Sequence, residues 1–244
     1  MNNGMHRAAA IQRGIEREMV VLQFLHQEIY SDFKNFMSLL KSAKSHTSSL
    51  LKRMVKNKLI ERHIITLDTN TVSLWGITDE GILRVNDIDN APTYCFTPSR
   101  FSLVTLNHTL MNQQVYIALK HLNWTNWVNA DRQLFKDKYR VPHRPDAIVT
   151  SPNGMVMAIE TELTFKTPAR YRSIIKSHIE AKSKGFWGHV IYVVRDEPSK
   201  KLLQRRFDRV NYIPFDNSRH EFSKYRGMFS IFTLYEVSIL HQTN

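Results

Sequence analysis

The sequence predicts an α/β (α+β) chain in two parts, a helical segment closed by a β-hairpin and then a mixed sheet with helices packed on it. Three observations predict this. Apolar residues recur at helical spacing from Ile15 to Met54, then give way to strand-like runs between Leu59 and Ile77. Asn, Asp and Pro gather over residues 86–100, which reads as a linker. Beyond it strands and helices are mixed, as in a sheet layered with helices. The domains are therefore expected at 1–85 and 101–244.

Taken in order, residues 1–14 are expected to fray, and a first helix to begin near Ile15. Val20, Val21, Phe24, Leu25 and Ile29 form its apolar stripe. A short helix follows over Phe33–Leu40. Ser45 is a suitable N-cap for a third helix that runs to about Lys56 and buries Leu50, Leu51, Met54 and Val55. Its other faces hold His46, Thr47, Ser49, Lys52, Arg53 and Lys56. Leu59–Ile65 and Thr71–Ile77 read as strands about a turn at Asp68-Thr69-Asn70, and Thr78 opens a further helix. The second part begins with a helix over Thr105–His121, a strand within Trp124–Leu134 and a basic loop, Lys136–Arg144. After a hairpin, Thr167-Pro168 caps a helix with Tyr171, Ile174, Ile175, His178 and Ile179 on one face. A buried strand over Gly188–Arg195, a basic helix over Ser199–Arg209 and a final strand over Phe229–Leu240 complete the chain.

Composition narrows the function. The 244 residues carry 34 Lys and Arg against 22 Asp and Glu, a formal charge of +12. Such a balance favours polyanions, nucleic acid first and an anionic membrane surface second. The longest apolar runs are strand-sized, so no membrane insertion is expected. The N-terminus has no hydrophobic signal core. Cys95 is the sole cysteine, which excludes a disulfide framework and a thiolate zinc site and fits a cytoplasmic location.

The chemistry concentrates in the hairpin of the second part. Arg144-Pro145-Asp146-Ala147-Ile148-Val149 precedes a Pro-Asn-Gly turn, and Val156–Leu163 returns with Glu160 and Glu162 on one face. Carboxylates in an otherwise apolar strand are costly unless paired. If Pro152–Gly154 is a three-residue loop, Asp146 faces Glu160 with Cβ atoms roughly 5 Å apart. A four-residue loop would set Asp146 against Ile159, on the wrong face. Acids so gathered suit Mg²⁺ or Mn²⁺, and a metal held by acids in a basic protein suits a phosphodiester substrate. The plain alternative is a hairpin whose acids pair with nearby Arg or Lys.

Two resemblances attach to these residues. Three helices and a hairpin, with Leu50–His63 and Trp75–Ile82, resemble the recognition helix and post-wing segment of a winged helix-turn-helix. The resemblance implies that His46, Thr47, Ser49, Lys52, Arg53 and Lys56 enter the major groove, with Arg62 and His63 beside the phosphates. Lys41 to Arg62 holds seven Lys or Arg against one Glu, which suits that surface. The other reading is a solvated basic helix or a protein-contact module.

Arg-Pro-Asp-Ala followed by Ile-Glu-Thr-Glu-Leu-Thr-Phe-Lys resembles the core of PD-(D/E)xK nucleases, a restriction-endonuclease-like domain. A winged helix ahead of that core is similar to the MOBC family of plasmid mobilisation relaxases. The resemblance implies Asp146 and Glu160 as metal ligands. Glu162 stands where the motif has lysine, as a third ligand or to orient water, and Lys166 or Lys176 would supply the missing charge. Arg144 and Arg170 flank the acids as DNA contacts. It further implies a metal-dependent nickase acting on double-stranded DNA at a plasmid transfer origin, then holding single-stranded DNA. A mobilisation accessory or coupling protein would be its partner, in a bacterial cytoplasm. The alternatives are a replication or transcription accessory protein whose nuclease fold does not cleave, and a double-strand nuclease.

Other candidates are weaker. Eleven histidines include no His-x-His pair. Nothing organises a partner for a nucleophile at Tyr30, Tyr116, Tyr139 or Tyr171. His108 reads as a helix-surface or core residue, and His143 as a possible phosphate contact beside the acids. Trp124, Trp127 and Trp187 read as packing residues. Lys200, Lys201, Arg205, Arg206 and Arg209 form either a phosphate-facing stripe or a solvated helix face.

Overall fold

Val21, Leu22, Phe24 and Leu25 recur at helical spacing and are fully buried, on α1 (Asn2–Glu28). The computed structural model describes residues 2–67, 70–85, 95–98, 103–216 and 218–240. Helix α1 begins a dozen residues earlier than its periodicity predicts. Residues 6–13 are exposed, so no apolar stripe announces them, while Ala8, Ala9 and Ala10 are strong helix formers. The chain divides into two compact units, Met1–Gln113 and Gln114–Asn244.

In the first unit α1 is followed by β1 (Tyr30–Asp32), α2 (Phe33–Leu40), α3 (Lys44–Lys56), β2 (Ile60–Leu67), β3 (Asn70–Ile77) and α4 (Asp79–Val85). The order and the antiparallel sheet β1-β3-β2 are those of a winged helix-turn-helix. Asp32 caps α2 by accepting the Asn35 N–H at 2.8 Å. Ser45 is not the cap of α3. It lies inside the helix, and Ala43 holds the cap position with no side-chain bond. Strand β1, too short to show alternation, pairs Ser31 with Trp75. The turn at Asp68-Thr69 lies outside the described residues.

Most of the 86–100 linker also lies outside them, but Phe96 is buried and sits 4.7 Å from the Tyr30 ring. A Cβ on Gly76 would lie 2.3 Å from that of Phe96, so glycine is required for the approach. Helix α5 (Leu103–His121) carries the division between the units. Its buried Gln113 accepts from Ser31 Oγ at 2.6 Å and Asn35 Nδ2 at 3.0 Å, and donates to the Tyr30 carbonyl at 2.7 Å. These bonds join the N-terminal half of α5 to the first unit.

The second unit continues with β4 (Thr125–Asn129), α6 (Gln133–Lys138), β5 (Ala147–Thr150), β6 (Val156–Thr161), α7 (Pro168–Ser183) and β7 (His189–Val194). Then come α8 (Glu197–Asp208), β8 (Tyr212–Phe215), β9 (Ser218–Glu221), β10 (Phe229–Thr233) and α9 (Leu234–Val237). The five-stranded sheet runs β10-β7-β6-β5-β4. β4, β5 and β6 form an antiparallel meander, and β7 and β10 join parallel. This is a mixed sheet with helices packed on it, the class expected.

Strand β4 is shorter than Trp124–Leu134, because helix α6 begins at Gln133 and takes up the start of the basic loop. The last strand stops at Thr233 rather than Leu240. There Thr233 and Glu236 form a reciprocal capping box and start a helix. Helix α7 buries Tyr171, Ile174, Ile175 and His178. Each apolar member contributes about 1.5–3 kcal/mol, so a histidine in that stripe must find a polar partner.

Candidate active site

The β5–β6 ladder pairs Ala147 with Ile159 and Thr150 with Val156. Ser151 N–H donates to the Met155 carbonyl at 2.9 Å, so Pro152–Gly154 is the loop of three. Continued by one residue, the same register would set Asp146 across from Glu160. At this end the ladder is irregular, since Asp146 N–H donates to the Ile159 carbonyl at 2.9 Å. An Asp146 carboxylate oxygen accepts the Thr161 N–H at 2.6 Å.

Strand β6 is a central strand, and its second half, Ala158–Thr161, is buried. Glu160 is 4% exposed and Glu162 2%. Each has found a partner. Nε2 of His143 lies 2.9 Å from Glu160 Oε1, and Nε2 of His178 lies 3.0 Å from the same oxygen. Burial opposes ionisation of Glu160, but the two imidazoles outweigh it and hold the carboxyl below its usual range. Lys166 folds back across the turn after β6, its Nζ 2.7 and 2.6 Å from the two oxygens of Glu162. Burial still leaves the Glu162 carboxyl above its usual range, against the lowering by Lys166. Arg206 holds the turn by donating to the Lys166 carbonyl at 3.0 Å.

The three acids do not gather as a carboxylate cluster. Among the described residues, the group of three whose ligand atoms all lie within 4.8 Å of one another is His143, Glu160 and His178. Glu162 is turned to Lys166, and the facing oxygen of Glu160 is held by imidazole. A hard Mg²⁺ ion takes oxygen ligands, so for Asp146, Glu160 and Glu162 to share one, Glu160 would have to leave the imidazoles and Glu162 would have to leave Lys166.

Of the two candidate lysines, Lys166 reaches Glu162 and Lys176 does not. The Lys176 Nζ lies 3.7 Å from Glu180 and 3.8 Å from Asp216, and it lines a separate cleft of about 550 Å³ with Arg172, Tyr212 and Arg219. A stripe facing the sheet takes up Tyr171, Ile174, Ile175 and His178, which leaves Lys176 off it. Arg170 is exposed on the first turn of α7. Arg144 is exposed and bonds the Ala130 carbonyl and Asp131, each at 3.3 Å.

His178 and Ser177 were missed as site residues. Ser177 Oγ accepts the His143 N–H at 3.0 Å and so fixes the segment that carries His143. The available signal was a histidine on the apolar stripe of α7. Beside Glu160 on β7, Tyr192 is fully buried and its hydroxyl has no hydrogen-bond partner among the described residues. Burial, then the charges of Glu160 and Glu162, push its ionisation well above the ordinary range.

On α3, His46, Ser49, Lys52 and Lys56 are exposed. Thr47 is fully buried and is not a surface contact. Arg53 turns to α1, bonding the Gly14 carbonyl at 3.0 Å with Glu18 at 3.6 Å. Arg62 bonds Ser73 at 2.8 Å and lies over the Trp75 ring, and the half-buried His63 packs edge-on to Phe96. No described helix is long and apolar enough to cross a membrane.

No protein family and no characterised protein matches the sequence. A crystal structure of a MepR mutant from a multidrug-resistant S. aureus clinical isolate is similar at 20% identity. The match covers 50% of this chain and 98% of that chain at a TM-score of 0.27, too low to carry an argument.

Proposed function

We propose that this protein binds double-stranded DNA through its winged unit and nicks one strand with its second unit, in a metal-dependent hydrolysis at a plasmid transfer origin. The observation that carries the reading is the end of the β5–β6 hairpin, where Asp146 accepts the Thr161 N–H beside Glu160. The Lys166 ammonium, paired with Glu162, would supply the positive charge that the motif lysine carries. In the proposed reaction a water oxygen bonds to phosphorus, one ester P–O bond breaks, and the leaving oxygen takes a proton. The exposed His46, Ser49, Lys52 and Lys56 on α3 and the formal charge of +12 support the DNA-binding half. A mobilisation accessory protein would be the partner, and the nicked single strand a further ligand.

The test is cleavage of supercoiled plasmid, with and without its mobilisation region, in Mg²⁺, Mn²⁺ and EDTA. Metal-dependent open circles are expected, lost in Asp146→Ala and Glu160→Ala while duplex binding persists. A second reading is a DNA-binding accessory protein that does not cleave. It is favoured by Glu162, whose two oxygens are both neutralised by Lys166. DNA binding without nicking under any metal, in the presence of the accessory protein, would establish that reading.

A further inference from the structure

We infer that His143, Glu160 and His178 form a site for one divalent transition-metal ion of the zinc class. This deepens the cleavage reading, on which it rests for the role of the ion. The site itself is argued from geometry.

The two imidazole nitrogens converge on one carboxylate oxygen at 2.9 and 3.0 Å, and all three ligand atoms lie within 4.8 Å of one another. Zinc bonds to nitrogen and oxygen are about 2.0–2.2 Å. Ligand atoms around such an ion sit roughly 3–3.5 Å apart, so occupancy needs only a small opening of the cluster. The donors come from three separately anchored pieces of backbone. His143 is pinned to α7 by Ser177, Glu160 sits in a central strand, and His178 is fully buried between the rings of Trp187 and Phe229 at 5.9 and 6.2 Å. A metal-bound histidine is usually oriented by a hydrogen bond at its other nitrogen. Nδ1 of His178 has none among the described residues, so ring packing takes that part.

The donor chemistry selects the ion. Imidazole suits zinc, iron, nickel and copper, whereas magnesium prefers oxygen and retained water. Two imidazoles and one carboxylate are also a three-ligand set that leaves a position for water on zinc. The side chain of His143 is 15% exposed while that of His178 is 0%, so an ion would enter past His143. The competing arrangement is a purely hydrogen-bonded cluster in which both imidazoles donate to Glu160.

The experiment uses the full chain, stripped with EDTA and titrated with Zn²⁺ by calorimetry and with Co²⁺ by visible absorption. One equivalent should bind, with Co²⁺ d–d bands displaced by Zn²⁺ and not by millimolar Mg²⁺. His143→Gln and Glu160→Gln, checked for folding by circular dichroism, should each bind about 100-fold more weakly. Should either variant misfold, the paramagnetically shifted imidazole N–H resonances of the wild-type Co²⁺ form should number two. Absence of stoichiometric binding, or equal affinity in folded variants, or no shifted imidazole, would leave a hydrogen-bonded cluster only and overturn the inference. Metal binding without nicking would sink the cleavage reading alone. Nicking in Mg²⁺ with no Zn²⁺ or Co²⁺ binding would sink this inference alone.

Discussion

The α3 helix and the β6 strand both carry charges in a regular pattern, yet they treat those charges in opposite ways. Lys52 and Lys56 of α3 stand in water. Glu160 on β6 and Glu162 just past its end are buried, and each has acquired its own counter-group. An exposed charge can be placed by local periodicity, because water is its partner. A buried one requires a partner from elsewhere in the chain, and its energetics belong to that partnership.

The largest effect that tests this contrast is Lys166→Ala. It leaves the buried Glu162 without its counter-charge and should cost about 3 kcal/mol in urea unfolding. Replacing both members with Met should recover most of that loss. A cost below about 1 kcal/mol would mean that the pair behaves like a surface ion pair and would break the comparison. Ser177→Ala should come next, at about 1–2 kcal/mol, since it leaves the His143 N–H without its acceptor. It should also weaken Co²⁺ binding, a readout that loss of packing on α7 alone would not produce.

On the exposed side, Lys52→Ala and Lys56→Ala should leave the unfolding midpoint almost unmoved. Each should weaken duplex binding similarly across sequences and lower the salt slope by about 1 in a fluorescence titration. A loss confined to one target sequence would instead mean a base contact. Thr47→Val should be the mildest change. The Thr47 hydroxyl is buried without a hydrogen-bond partner among the described residues, so removing it should shift stability by less than about 1 kcal/mol and leave DNA binding intact. A large loss of binding there would return Thr47 to the interface.

Residues that act through their neighbours in sequence were legible in advance. The bounds of α2, the buried Leu50, Leu51 and Met54, the Thr167-Pro168 start of α7 and the two hairpins follow from periodicity and turn chemistry. The expectation that Ser45 caps α3 failed because residue preference is only a weak guide to which residue precedes the first turn. Thr47 was assigned to the surface because a short polar side chain gives no sign of facing a core. Lys176 enters the site in the sequence reading through its charge alone, although the apolar face of Tyr171, Ile174, Ile175 and His178 already leaves it on another side of α7. Phe96 was assigned to a linker because one aromatic residue among Pro and Asn carries no periodic signal.

By itself, then, the sequence determined the local elements, the basic exposed face of α3, and the pattern that puts Glu160 and Glu162 on one side of a strand. Tertiary structure decided what those acids touch. His143 and His178 stand 17 and 18 residues from Glu160 and reach it only when α7 packs across β6 and Ser177 draws the His143 segment in. Strand period and helix period each specify a direction within their own element. The distance between side chains on different elements is set by how the elements pack, and no single period contains it.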